Sequence, residues 1–153
     1  MDNRKRLIEI FERVNKISLN ESALESNSEE QNTREHKNEI IKKFVIFVCE
    51  NLGLKSDTLP KILISYNGNE AKEQKSFGGY APNAKLIRIV ATNRNLADVL
   101  RTLGHELVHH KQNINGGLND KSGETGSEEE NEANSKAGIF LREFGRANPE
   151  IFE

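Results

Sequence analysis

The spacing of hydrophobic residues predicts a short amphipathic helix near the start of the chain. Within residues 3–17, apolar side chains recur every three or four positions, which is the period of one helix face. Residues 18–34 are rich in Ser, Asn, Glu and Gln and have almost nothing to bury, so they predict a flexible linker. The helix either packs on the rest of the protein or serves as an arm that binds a partner protein. We expect the folded domain to begin near residue 35.

Residues 35–153 predict an α+β domain with a small sheet. Three segments have helical spacing, namely about 35–52, from a cap at Asn93 or Asn95 to about Asn113, and roughly 127–145. Two segments have the apolar or alternating pattern of strands, 61–66 and 85–91. The segment between the strands, 77–83, reads as a loop that contains Gly78 and Gly79. Possible buried positions on the last helix are Ala133, Ala137, Ile139, Phe140 and Phe144.

Composition narrows the class of protein. The chain has one cysteine, so an intramolecular disulfide framework is excluded. Cys49 lies in an apolar run, and we expect it to be a small buried hydrophobe. The net charge of −2, with mixed signs and no basic face, argues against nucleic acid as the main partner. No uncharged run is as long as a membrane span and no signal peptide is evident, so the expectation is a cytoplasmic protein without a membrane partner.

The motif His105-Glu106-Leu107-Val108-His109 is the strongest indication of a chemical function in the sequence. It lies inside a predicted helix, where residues four apart stand on the same face. His105 and His109 can therefore reach one metal ion together. Glu106 is placed next to the first of these ligands, where it can act on a water molecule instead of binding the metal.

Two histidines do not complete a metal site, so a third ligand is required. His110 points about 100° around the helix from the histidine pair, and His36 lies at the start of a different helix. We therefore expect a carboxylate from the acidic start of the last helix, Glu128-Glu129-Glu130-Asn131-Glu132. Acidic residues also favour the first turn of a helix for electrostatic reasons alone. Glu130 and Glu132 cannot both face the metal, because residues two apart point in different directions.

The motif His105-Glu106-x-x-His109, followed by Glu130-x-Glu132-Ala133-Asn134-x-x-Ala137, resembles the gluzincin metallopeptidases. The second string is most similar to that of small intracellular proteases that cleave phage repressors and radiation-response regulators, and it also resembles membrane-associated quality-control peptidases. The resemblance implies Glu130 as the third zinc ligand, with Asn134 as its outer partner. Thermolysin offers a competing alignment that implies Glu132 as the ligand, but it places Lys136 where thermolysin has an aspartate. We favour Glu130.

The resemblance covers residues 60–145 in outline, and the implied fold is a minimal zincin-like domain. The strand over 85–91 looks like the edge strand of small zincins. The sequence of residues 101–109 resembles that of metallopeptidase-like proteins encoded by tailed phages. The resemblance implies a protein or peptide substrate that lies as an extra strand along 85–91. In such an enzyme, Tyr80 and His110 are the candidate donors to the oxyanion, although Tyr80 is better explained as a half-buried loop aromatic.

Three functions compete. The first is a zinc endopeptidase in which Glu106 is the general base. The second is a catalytically silent zincin-like domain that acts as a structural or assembly protein, for example one associated with a phage virion. The third is a regulator that uses the fold to bind a partner. Zinc is the default metal for two histidines and a carboxylate, and iron or manganese are alternatives.

Overall fold

The computed structural model describes Lys5 and residues 28–66, 77–118 and 126–153. These residues form three helices of at least 19 residues each and a three-stranded sheet, which confirms the predicted α+β class. The helices are α1 Ser28–Asn51, α2 Leu96–Ile114 and α3 Glu128–Ala147. The strands are β1 Lys61–Ser65, β2 Gly78–Ala81 and β3 Leu86–Val90. Short 3-10 helices cover Ser56–Thr58 and Pro149–Phe152. Apart from Lys5, the helix predicted over residues 3–17 lies outside the described residues.

Helix α1 begins at Ser28, so the linker predicted up to residue 34 is wrong over its last part. The segment that the sequence assigned to the linker contains Glu, Gln and Arg, which have high intrinsic helix propensity. A helix that is held by its apolar segment further along the chain can continue through such residues without burying them. The remainder of the predicted linker lies outside the described residues.

The sheet has the order β1-β3-β2, with β3 parallel to β1 and antiparallel to β2. Two predictions are therefore wrong: β3 is the central strand, not the edge strand, and the predicted loop over 77–83 contains strand β2. With β1 and β2 on its two sides, β3 cannot accept a substrate as an additional strand. The sequence did not predict β2, because two of its residues are glycines and glycine has low strand propensity. Gly78 is needed there, since a Cβ atom at this position would overlap the methyl group of Thr102 on α2.

Helix α2 is the centre of the fold. It packs on β2 and β3, on α1 and on α3, and its buried positions include Leu100, Leu103 and Leu107. The side chains of α1 and α3 meet at Phe44 and Phe144, whose rings lie edge to face with centroids 5.3 Å apart.

Most of the predicted buried positions are confirmed. Cys49 is a free, fully buried cysteine. On α3, Ala133, Ala137, Phe140 and Phe144 are buried, whereas Ile139 is 45% exposed. The buried residues follow helical spacing, and Ile139 directly precedes one of them, so it points about 100° away from the core.

Local signals define the ends of α2 and the start of α3. The side chain of Asn95 caps α2 by accepting a hydrogen bond from the backbone N–H of Asp98 at 2.9 Å. Gly116 follows the helix with a positive φ of 76°, a conformation that glycine adopts at no steric cost. Ser127 caps α3 in the same way through the N–H of Glu130. No helix in the described part of the chain is long and apolar enough to cross a membrane.

Candidate metal centre

The structure brings His105, His109 and Glu130 together. The Nε2 atom of His105 lies 3.0 Å from one carboxylate oxygen of Glu130, and the Nε2 atom of His109 lies 3.0 Å from the other. The two Nε2 atoms are 3.1 Å apart. These three residues form a group that could hold a metal ion.

Close packing of α2 against α3 places the carboxylate beside the two imidazoles. Gly104 precedes the first histidine, and its Cα faces Ala137 across the helix interface. Ala133 and Ala137 are fully buried small residues on the facing side of α3. Small side chains at these positions allow the two helix backbones to approach closely, so that Glu130, in the first turn of α3, reaches the histidines.

Glu130 departs from the local rule for its position. The sequence Ser127-x-x-Glu130 has the form of a capping box, in which the glutamate side chain would return to the backbone of the capping residue. Ser127 does cap the N–H of Glu130 at 3.1 Å. The Glu130 carboxylate instead turns toward α2, where each of its oxygens meets one histidine.

Gln112 determines which nitrogen of His109 carries the hydrogen. The amide nitrogen of Gln112 donates to the backbone oxygen of Glu129 at 3.0 Å and to Glu132 Oε1 at 2.9 Å. The amide oxygen is therefore the atom that lies 2.8 Å from His109 Nδ1. An amide oxygen only accepts hydrogen bonds, so Nδ1 is the donor. In the neutral ring, Nε2 then carries a lone pair that points at Glu130.

This arrangement fits a bound cation. The Nε2 lone pair of His109 faces one carboxylate oxygen of Glu130 at 3.0 Å, and two such electron-rich atoms attract one another only through a proton or a metal ion. Bonds of about 2.1 Å from zinc to nitrogen and oxygen place tetrahedral ligand atoms about 3.4 Å apart. The observed separations of 3.0–3.1 Å need only a small outward adjustment to accommodate the ion.

His105 has an outer partner on α3. The Asn134 side chain hydrogen-bonds His105, whereas the sequence resemblance implied Asn134 as the outer partner of Glu130. Burial lowers the pKa of His105, and the nearby Glu130 carboxylate opposes this shift only in part. A lowered pKa favours the neutral imidazole, which is the form that binds metals.

Glu106 lies beside the cluster in a buried position. Its exposed fraction is 8%. The pKa of Glu106 is raised to about 7, chiefly by burial; His109 lowers it in part, and the Glu130 carboxylate contributes to the rise. A carboxyl group with a pKa near neutrality is well matched to accept and return a proton.

Glu132 does not join the cluster. One of its carboxylate oxygens accepts from Gln112, and the other lies 3.6 Å from the ammonium nitrogen of Lys136. The geometry thus separates the two sequence alternatives, because Glu130 reaches both histidines and Glu132 faces Gln112. Gln112 was missed in the sequence, although its position three residues after His109 places it one turn along the same helix face.

Tyr80 and His110 belong to a separate hydrogen-bond network. His110 is fully buried, and its Nε2 lies 2.6 Å from the backbone oxygen of Thr58. That nitrogen must donate, so Nδ1 accepts from the Tyr80 hydroxyl at 2.7 Å. The Asn113 amide donates to the same hydroxyl and to the oxygen of Pro82. Both ring nitrogens of His110 are therefore used inside the protein, and burial lowers the pKa of this imidazole.

Comparison of the chain with protein-family models, with curated proteins and with solved structures found no match.

Proposed function

We propose that this protein is a zinc-dependent endopeptidase in which His105, His109 and Glu130 hold the ion and Glu106 is the general base. The observation that carries the proposal is the convergence of both imidazole Nε2 atoms on the two oxygens of one carboxylate. The buried Glu106 beside them, with its raised pKa, supplies a proton acceptor. Two nitrogen ligands and a carboxylate that leave a fourth position open are typical of catalytic zinc sites.

The residues of the chain have distinct roles in this reaction. Zinc, when bound, supplies a Lewis acid that acidifies water and polarises a carbonyl group. Glu106 accepts the proton of the attacking water and then delivers it to the leaving amine. Gln112 and Asn134 orient His109 and His105 through hydrogen bonds.

Strand β2 lies against the helix of the proposed metal centre. Within the described residues it is the outer strand of the sheet on the side of β3 opposite β1. It packs on α2, the helix that carries both histidines, and Tyr80 links it to that helix by a hydrogen bond.

Metal content tests the centre directly. Elemental mass spectrometry should find about one zinc per chain in the untagged wild type. Glu130→Ala should lose the metal, because it removes the only carboxylate of the cluster. Glu132→Ala removes a carboxylate that faces Gln112 and is not a ligand, so at saturating zinc it should still hold one ion. Absence of metal in the wild type after zinc is supplied would refute the proposal.

Glu106→Gln separates the peptidase from a silent domain. The substitution keeps the size of the side chain and does not touch the three ligands, so zinc should remain bound. Cleavage of an unfolded protein substrate should fall at least about 100-fold, because the general base is lost. Wild-type protein that holds zinc but cleaves no peptide, and whose biological function survives Glu106→Gln, would instead indicate the structural or regulatory alternative.

A further inference from the structure

The Gln112 side chain hydrogen-bonds both His109, a ligand histidine of α2, and the helix that carries Glu130. Its side chain lies between the two helices and is 8% exposed. Three hydrogen bonds of 2.8–3.0 Å use its amide oxygen and its amide nitrogen. A buried amide with these partners has one orientation, because rotating it would place its oxygen against two acceptors, the backbone oxygen of Glu129 and the carboxylate of Glu132.

Hydrogen-bond acceptors on α3 fix the orientation of the Gln112 amide. Both partners of the amide nitrogen, the backbone oxygen of Glu129 and the carboxylate of Glu132, are acceptors. They hold the amide oxygen toward His109 Nδ1. The effect on His109 is to keep its hydrogen on Nδ1 and to leave Nε2 free to bind an ion.

We propose that Gln112 is a positioning residue that selects the metal-binding tautomer of His109. Through its bonds to α3, it makes this tautomer depend on the position of α3 against α2. The part that concerns metal affinity rests on the proposed zinc centre. Glu132, which the sequence offered as an alternative ligand, is then the second anchor of this amide. Because Glu129 and Glu132 flank Glu130 in α3, the same contacts also hold the third ligand in its place.

The tautomer of His109 in the metal-free protein tests the first half of the inference without metal. Nitrogen chemical shifts of the ring, recorded by long-range proton–nitrogen correlation, should show the hydrogen on Nδ1 in the wild type. In Gln112→Met, which is close in size and has no amide, the ring should show a mixture of the two tautomers. An unchanged tautomer in this variant would overturn the proposal.

Zinc affinity, measured by competition with a chromogenic chelator, tests the second half. Gln112→Met should bind zinc about 10- to 100-fold more weakly than the wild type, as is usual when the outer partner of a ligand histidine is lost. Saturating zinc should still give one ion per chain, because all three ligands remain. Lys136→Met is the control, since it removes the other partner of Glu132 and leaves the Gln112 bond in place; its affinity should be unchanged.

Glu132→Ala is a second test of the contact between the Gln112 amide and α3, and it leaves Gln112 itself unchanged. It removes one anchor of the amide nitrogen and leaves the Glu129 oxygen, so affinity should fall, but by less than in Gln112→Met. Equal zinc affinity in Gln112→Met, Glu132→Ala and the wild type would overturn the proposal while leaving the zinc centre intact. Failure of the wild type to bind zinc would instead refute the proposed function, and the tautomer measurement would then still test the role of Gln112.

Discussion

The Tyr80 hydroxyl donates a hydrogen bond of 2.7 Å to Nδ1 of His110, and this bond joins strand β2 to the helix that carries the ligand histidines. The acceptor belongs to a side chain with no solvent exposure. The same hydroxyl accepts from Asn113. Tyr80 therefore satisfies two polar groups of α2, and its own proton is already used.

Tyr80→Phe should consequently destabilise the fold. The variant leaves Nδ1 of His110 buried without a donor, which costs about 1–3 kcal/mol of unfolding free energy. Urea denaturation followed by circular dichroism measures this change, and metal content should stay at the wild-type value. If the variant were as stable as the wild type but lost peptidase activity, Tyr80 would be a donor to the reacting carbonyl group instead.

Gly78→Ala and Gly79→Ala form a matched pair on the same strand. A Cβ atom at Gly78 would overlap the Thr102 methyl group, whereas a Cβ atom at Gly79 meets nothing within 4 Å. We expect Gly78→Ala to lower the unfolding free energy by about 1–3 kcal/mol through overpacking. Gly79→Ala should be neutral or slightly stabilising. Thermal or urea unfolding of the two variants measures the difference.

Thr102→Ser should relieve the clash in the Gly78→Ala background. It removes the methyl group and keeps the hydroxyl, which accepts from Arg94 at 2.7 Å and donates to the oxygen of Asp98 at 3.0 Å. The double variant should therefore be more stable than Gly78→Ala alone. Equal stability of the two glycine variants would contradict the close packing of β2 on α2.

The sequence predicted those elements whose residue pattern depends on the element alone. The spacing of Leu100, Leu103 and Leu107 indicated α2, and its motif placed two histidines on one face. Strand β2 was not predicted because one of its glycines, Gly78, is required by close contact with Thr102, which belongs to a different element. Ile139 was misassigned because apolar residues on adjacent faces of a helix look alike until a partner surface is known.

At the metal centre too, the sequence predicted the relations between residues of one helix better than those between helices. The two histidines could be paired from sequence because the helix alone determines their relation. The sequence resemblance favoured Glu130 over Glu132. Only the packing of α3 on α2, with its contacts at Gly104 and Ala137, shows that the Glu130 carboxylate reaches both histidines. Gln112 was missed because a glutamine in an amphipathic helix is usually a surface residue. Only the bonds across the interface distinguish it.

Cys49 should resist thiol reagents in the native protein. It has no exposed surface, and burial raises its pKa to about 12, with a further contribution from Glu50. At pH 8 a disulfide reagent such as dithiobis(nitrobenzoate) should react at once in 6 M guanidinium chloride (about full denaturing strength for small domains) and only slowly in buffer. Rapid reaction of the native protein would contradict the burial of α1 against the core.

The same thiol adds a pH dependence to stability. Its pKa is higher in the folded protein than in the unfolded chain, so its contribution is fully present below the unfolded value of about 8.5. It is lost as the pH rises from there toward the folded value of about 12. Urea denaturation between these limits should therefore show a steeper loss of stability in the wild type than in Cys49→Ala. Equal slopes would exclude a contribution of Cys49.

Zinc should stabilise the folded protein, because the cluster contains a ring lone pair and carboxylate oxygens that need a cation between them. Zinc at 100 times its dissociation constant adds about 2.7 kcal/mol, which corresponds to a rise of about 5–10 °C in the melting temperature of a protein of this size. A chelator should reverse the shift. Glu130→Ala should show no shift with zinc, whereas Glu132→Ala should retain most of it. A melting temperature of the wild type that responds to neither zinc nor chelator would show that a proton, not a metal ion, joins His109 to Glu130.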